Sequence, residues 1–299
     1  MHQPRLRNAF HLTIGHEDLA RAIDREIGRS SPSAAILHRV LALVHDPRSS
    51  AEELSRVLSL DRTLTEKTIR MVNAAAIGLH ANVTSIRQAV ILLGYSRVRT
   101  MALALSAHAA LSSSTKPSPL DRALLWKHSA AVAAACTTLA SMHHAYQGDA
   151  ETAFVAGLLH DIGKQFLDHN FQTPYAVARE YARREALSAY AAEERILNTN
   201  HAAVGRMLTQ HLQLPETVQL GVGAHHTPEE VLAEAAIVHA ADWLAWRGGV
   251  PSEARGTPPV LDPAVVRWLG FAEKDFERAM ELWQPAFANV WDALGSNAS

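Results

Sequence analysis

This 299-residue chain has a single cysteine, Cys136, which excludes an intramolecular disulfide and any zinc site built on paired thiolates. A reducing, cytoplasmic setting is expected. The first residues lack the charged, apolar and small-residue succession of a signal peptide. No run approaches the roughly 20 apolar residues that a membrane span needs. Aromatic residues are scarce at 6%, yet hydrophobic residues reach 48%, much of it in alanine-rich runs. Small side chains suit closely packed helices better than sheets of β-branched strands, so the expected fold is all-α. A dense basic run is also missing. Residues 1–112 hold 14 Lys+Arg against 9 Asp+Glu, and residues 113–299 hold 14 against 21, giving a front half of +5 and a rear half of −7. With no binding motif beside it, the front-half excess makes nucleic acid an unlikely partner. The acidic rear half suits cation binding, and 10 of the 17 histidines fall between His128 and His239.

The richest stretch runs from Ala153 to Lys164, an apolar helical run ending in His160, Asp161 and Lys164. Imidazole and carboxylate side by side are ligands for a first-row divalent cation, and a lysine one turn on can neutralise the carboxylate or reach an anionic oxygen. The pair alone cannot hold an ion. Adjacent helical residues diverge by about 100°, so other helices must bring further ligands.

Read in order, residues 1–29 form a leader with a short helix from Glu17 to Ile27, and residues 30–112 form a helical lobe. There Ile36, Leu37, Val40, Leu41 and Val44 make a stripe stopped by Asp46-Pro47. Ser50 to Glu53 is a capping box, and Asp61 caps a helix reaching Gly78. Thr84 or Ser85 opens a helix closed by Gly94 in the left-handed conformation, and Ser96 caps the next, to Leu111. Polar, proline-broken residues 113–122 read as a linker. A second lobe, 123–247, begins with a helix from Trp126 to about Met142. It continues through the His-Asp helix, helices over 175–187 and 188–197, and others opened by Asn200, by Leu214-Pro215-Glu216 and by Thr227 to Glu230. Residues 248–299 are a Pro/Gly-rich loop and one or two amphipathic helices that pack back on a lobe or on a second subunit, a homodimer being one expectation.

Asp46-Pro47, Leu60-Asp61, Val72-Asn73, Ser85 to Val90 and Leu92-Leu93-Gly94 at these intervals resemble the N-terminal half of HDOD modules, relatives of the HD metal-dependent phosphohydrolases. The resemblance runs from about Ser30 to Ala245. It implies a two-lobed helical architecture and a bacterial regulator of signalling, motility or stress. It also implies metal ligands at His128, His160, Asp161 and Asp242, for Fe, Mn or a similar divalent ion. Similarity to the HD-GYP phosphodiesterases adds a second metal position from His201, His225 and His226, bridged by Asp161. Adjacency suggests that only one of His225 and His226 points inward. Lys164 would face a phosphate or pair with Asp161 or Asp168. Glu193 would be an extra ligand or a hydrogen-bond acceptor behind the ligands. His239 would support Asp242, while His143, His144, His169 and His211 would lie on the surface.

Two functions are then in view. One is a signalling or scaffold module that docks a partner protein and keeps its metal site for structure or sensing. The other is a phosphohydrolase or phosphodiesterase on a nucleotide or other phosphate ligand, with Asp161 and Lys164 in the chemistry. After His226 the chain reads Thr227-Pro228-Glu229-Glu230 with no Gly-Tyr-Pro, which argues against cyclic di-GMP hydrolysis.

Overall fold

Helices apolar on every side must be buried, and four such helices form the centre of the computed structural model. It describes residues 12–28, 32–45, 49–75, 83–112, 118, 120–143, 146, 148–227 and 233–295. Among these residues there are sixteen helices and no strand: α1 His16–Ile27, α2 Pro32–His45, α3 Ala51–Leu58, α4 Arg62–Ala75, α5 Ile86–Leu93, α6 Tyr95–Ser112, α7 Arg122–Met142, α8 Ala150–Leu159, α9 Ile162–Asn170, α10 Gln172–Glu185, α11 Ala189–Leu197, α12 His201–His211, α13 Glu216–Ala224, α14 Ala233–Arg247, α15 Pro263–Leu269 and α16 Glu273–Leu294. The all-α expectation holds. No helix among the described residues is long and apolar enough to cross a membrane.

Local chemistry sets most of the boundaries. Ser50 and Glu53 form the reciprocal capping box of α3, and Asp61 Oδ1 accepts the Leu64 amide to start α4. Ser85 caps α5, and Asn200 caps α12 through the Ala203 amide. Two expectations fail at one corner. Gly94 has positive φ (90°) but an extended ψ (154°), so it is not a left-handed cap, and Ser96 lies inside α6 instead of capping it. Gly94 turns the chain in one residue, and its carbonyl already accepts the Val98 amide. The helix carrying His128 starts at Arg122, four residues earlier than read, because Asp121 caps it through the Leu124 amide. Asp46-Pro47, Gly78, most of the linker and Pro228-Glu229-Glu230 lie outside the described residues.

The buried stretches are 100–107 of α6, 128–139 of α7, 153–159 of α8 and 235–242 of α14. α7 packs on α8, α14 and α16, whereas α6 packs on α2, α4, α8 and α9. α16 folds back across both α7 and α4, and the Trp283 indole N–H donates to the Ala131 carbonyl at 2.9 Å. At the α7–α8 crossing, a Cβ on Gly157 would lie 2.7 Å from Cys136 Sγ and 3.0 Å from both Ala133 Cα and the Val132 carbonyl oxygen. Backbone cannot step aside as a flexible side chain can. Gly157→Ala should therefore lower stability by about 1–3 kcal/mol through overpacking, although alanine gains up to about 1 kcal/mol in helix propensity. Urea midpoints of the two proteins check the sign, and an unchanged or raised midpoint would refute the close crossing.

Candidate metal centre

The His-Asp pair occupies a break in the helical chain. α8 ends at Leu159, His160 caps it, and Asp161 stands before α9 at φ −100°, ψ 11°. Outside regular helix, the two side chains can approach one place. A Cβ on Gly163 would overlap the His201 carbonyl, so glycine there lets the start of α9 lie against the start of α12. His128 comes from α7, His225 and His226 from the end of α13, and Asp242 from α14.

All seven residues converge. His128, His160 and Asp242 offer ligand atoms within 4.8 Å of one another, as do His201, His225 and His226, and the set His160, Asp161 and His225 links the two groups. Both His225 and His226 face the centre, contrary to the expectation that one would turn away. They stand at the C-terminal end of α13, with their ring centroids 4.1 Å apart.

Ring protonation follows from the partners. His128 Nδ1 lies 2.7 Å from the Val250 carbonyl oxygen, His160 Nδ1 2.8 Å from that of Gly157, and His225 Nδ1 2.7 Å from that of Val222. A carbonyl only accepts, so each Nδ1 carries the proton and each Nε2 keeps its lone pair. Those three Nε2 atoms are buried without a hydrogen-bond partner, as is Asp161 Oδ1. Two of these places set acceptor against acceptor: His128 Nε2 is 3.1 Å from Asp242 Oδ1, and His201 Nε2 is 3.3 Å from Asp161 Oδ1. His226 Nε2 lies 2.9 Å from His201 Nε2, where a proton on His226 makes a hydrogen bond between the rings.

Burial pushes the His160, His225 and His226 rings below the usual imidazole range, and neighbouring histidines push them further. Burial works to raise the Asp161 carboxyl, but Lys164, His160 and His201 hold it well below the usual carboxylate range. A cation among the seven residues would satisfy the lone pairs together, so the donor set fits a divalent metal.

Behind the donors, Glu193 Oε2 accepts from both the amide and Nδ1 of His201, each at 2.7 Å, which makes it the acceptor and not a ligand. His239 does not support Asp242. Its Nδ1 donates to the His225 carbonyl at 2.7 Å, and its Nε2 accepts the Asp262 amide at 3.1 Å. Lys164 Nζ pairs with Asp161 Oδ2 at 2.8 Å and reaches Ser252 Oγ at 3.3 Å. Burial works to lower the Lys164 ammonium, but Asp161 and Glu253 hold it above its ordinary value. Asp168 is not its partner, being held by Arg122 at 3.0 Å and Ser118 at 2.6 Å. His143 is buried and the His169 side chain is only 5% exposed, so neither is superficial: Trp268 of α15 covers the first, with ring centroids 4.4 Å apart, and Glu26 of α1 lies 3.3 Å from the second. His211 is partly exposed, and His144 lies outside the described residues. A cavity of about 790 Å³ opens on the centre, with Lys164, His201, His226 and Asp242 at its inner end. Segment 248–262, whose sequence shows only a Pro/Gly-rich loop, forms much of its wall.

The HDOD domain profile matches residues 31–228. Among solved structures, an HDOD domain protein of unknown function from Geobacter sulfurreducens is 24% identical, with 93% of each chain covered and a TM-score of 0.60. A candidate signal transduction protein from Marinobacter aquaeolei is 18% identical (96% of this chain, 68% of that one, TM-score 0.66). A candidate metal-dependent phosphohydrolase from Shewanella amazonensis is 16% identical (93% and 98%, TM-score 0.57). At these identities the likeness is one of fold. No curated protein matches the sequence significantly.

Glu193→Ala should leave two buried donors of His201 without an acceptor and free its ring to turn. Metal affinity is expected to fall about 10–100-fold, the usual cost of losing such a support. Titration with Mn²⁺ followed by calorimetry checks this, and wild-type affinity in the mutant would remove Glu193 from the site.

Proposed function

Because the chain belongs to the HDOD domain family, we propose that it is a regulatory protein with a functional metal centre, a divalent-metal-dependent phosphohydrolase or phosphodiesterase. The observation that carries this reading is the set of buried, unprotonated ring nitrogens turned on one another and on two carboxylates at the inner end of an open cavity. His128, His160, Asp161 and Asp242 would hold one Fe, Mn or similar ion, and Asp161, His201, His225 and His226 a second. When bound, such ions supply Lewis acidity and a water of lowered pKa. The chain's own residues do the rest. Asp161 stays ionised and is shared between the two donor groups. The Lys164 ammonium, fixed by Asp161 and Ser252, is a cation at the inner end of the cavity, where phosphoryl charge would gather. The buried walls of α7, α8 and α14 keep bulk water from the far side of the donors.

One observation favours a second reading. Lys164 is already engaged by Asp161 at 2.8 Å, so the site could bind metal and ligand for sensing, without turnover, and pass the signal to a partner protein.

Metal analysis and an assay test both. Protein purified without added metal or a chelating tag should carry about one or two Fe or Mn ions per chain, and His160→Ala with Asp161→Ala should bring this to background. Metal at background in wild type would refute the centre. Anaerobic incubation of Fe- and Mn-loaded protein with a panel of mono- and dinucleotide phosphates should give hydrolysis that Asp161→Ala abolishes. Metal without turnover of any panel member would leave the sensing reading. Cyclic di-GMP is expected to be untouched, since the sequence after His226 lacks the Gly-Tyr-Pro loop.

A further inference from the structure

Segment 248–262 lies beyond the 31–228 match, yet it is tied to the centre along its length. The Val250 carbonyl accepts from His128, Ser252 Oγ meets Lys164, Thr257 Oγ1 donates to the Leu187 carbonyl at 3.0 Å, and the Asp262 amide donates to His239. Between these anchors Glu253 Oε2 accepts from Arg179 Nη2 at 3.1 Å. Both side chains line the cavity, with 17% of the Glu253 side chain and 20% of the Arg179 side chain exposed.

The plain reading of this ion pair is one more fastening of the segment to α10. Its geometry speaks against that. Arginine binds carboxylate most tightly through two parallel N–H···O bonds, but here one contact is made, while Arg179 Nε and Glu253 Oε1 are both buried and unpaired. Half of the guanidinium fork is therefore idle. A phosphate, with oxygens spaced to take Nε and Nη2 together, would use the whole fork. The segment is also held at four other points, so its position does not need this pair.

We infer that Arg179 is an anion-binding group of the cavity and that Glu253 is its resident counter-ion, a carboxylate that a phosphate group of the ligand must displace. This rests on the reading of the site as one for phosphate-bearing ligands, and it adds both a second contact point and a restraint on entry. With Glu253 in place the charge of Arg179 is cancelled and an arriving anion is repelled. With Glu253 turned aside, Arg179 and Lys164 present two cations along the same cavity.

The test is binding of inorganic phosphate to the full metal-loaded chain by calorimetry at low ionic strength, for wild type, Glu253→Gln, Arg179→Gln and the double variant, with metal content measured in each. Glutamine keeps the size of the side chain and removes its charge. Glu253→Gln should tighten phosphate about tenfold, a change of about 1.4 kcal/mol, and added salt should shrink the gain. In the Arg179→Gln background the same change should give no gain. Equal or weaker binding by Glu253→Gln would overturn the inference and make Glu253 a support for Arg179. A gain that survives loss of Arg179 would also overturn it. Phosphate binding absent from all four proteins at full metal content would overturn the phosphate-ligand reading together with it, whereas binding that is merely indifferent to Glu253 sinks this inference alone.

Discussion

The carboxylate of Asp161 is the group that the rest of the centre must accommodate. It is 2% exposed and ionised, and an isolated charge at that depth would cost several kcal/mol. Lys164 compensates it at one oxygen, while the other, buried without a hydrogen-bond partner, faces His201 Nε2 and is open to a bound cation. These contacts need α9 to start against α12, which glycine at 163 permits, and they need the chain to leave helical geometry between α8 and α9. Burying this charge thus fixes the relative placement of helices that carry four of the site residues.

A second constraint is the direction of the rings. His160 and His225 each donate to a carbonyl three residues earlier, so their orientation is set within their own turns. His128, inside α7, does not use its own turn. It takes its acceptor from Val250 instead, 122 residues away. His239 joins the His225 carbonyl to the amide of Asp262, the residue that caps α15. Segment 248–262 is accordingly part of the site's framework, although the family match ends before it. A ligand that moved this segment would disturb the acceptor of one histidine and the support of another, so the cavity is physically linked to the C-terminal helices.

Much of this molecule is set by chemistry within a few residues, and that part could be read from the sequence. Caps at Ser50, Asp61, Ser85 and Asn200 act on amides three positions ahead, so the helices they open were legible. Resemblance to a known family, and not local chemistry, pointed to His128, His160, Asp161, His201, His225, His226 and Asp242 as candidate ligands, and the structure groups these residues. Contacts between distant segments were not legible, because no periodicity or spacing encodes which surfaces meet. Whether both His225 and His226 turn inward depended on where α13 ends. The covering of His143 and His169 depended on Trp268 and Glu26 arriving from the two ends of the chain. Lys164 chose Asp161 over Asp168 because Arg122 and Ser118 already held the latter. The pairing of Arg179 with Glu253 joins α10 to a loop 74 residues later, and only packing in three dimensions puts them on one cavity wall. The sequence alone determined an all-helical chain and offered candidate donor residues; the tertiary structure decided their convergence, since that depends on buried charge and close contact between helices distant in the chain.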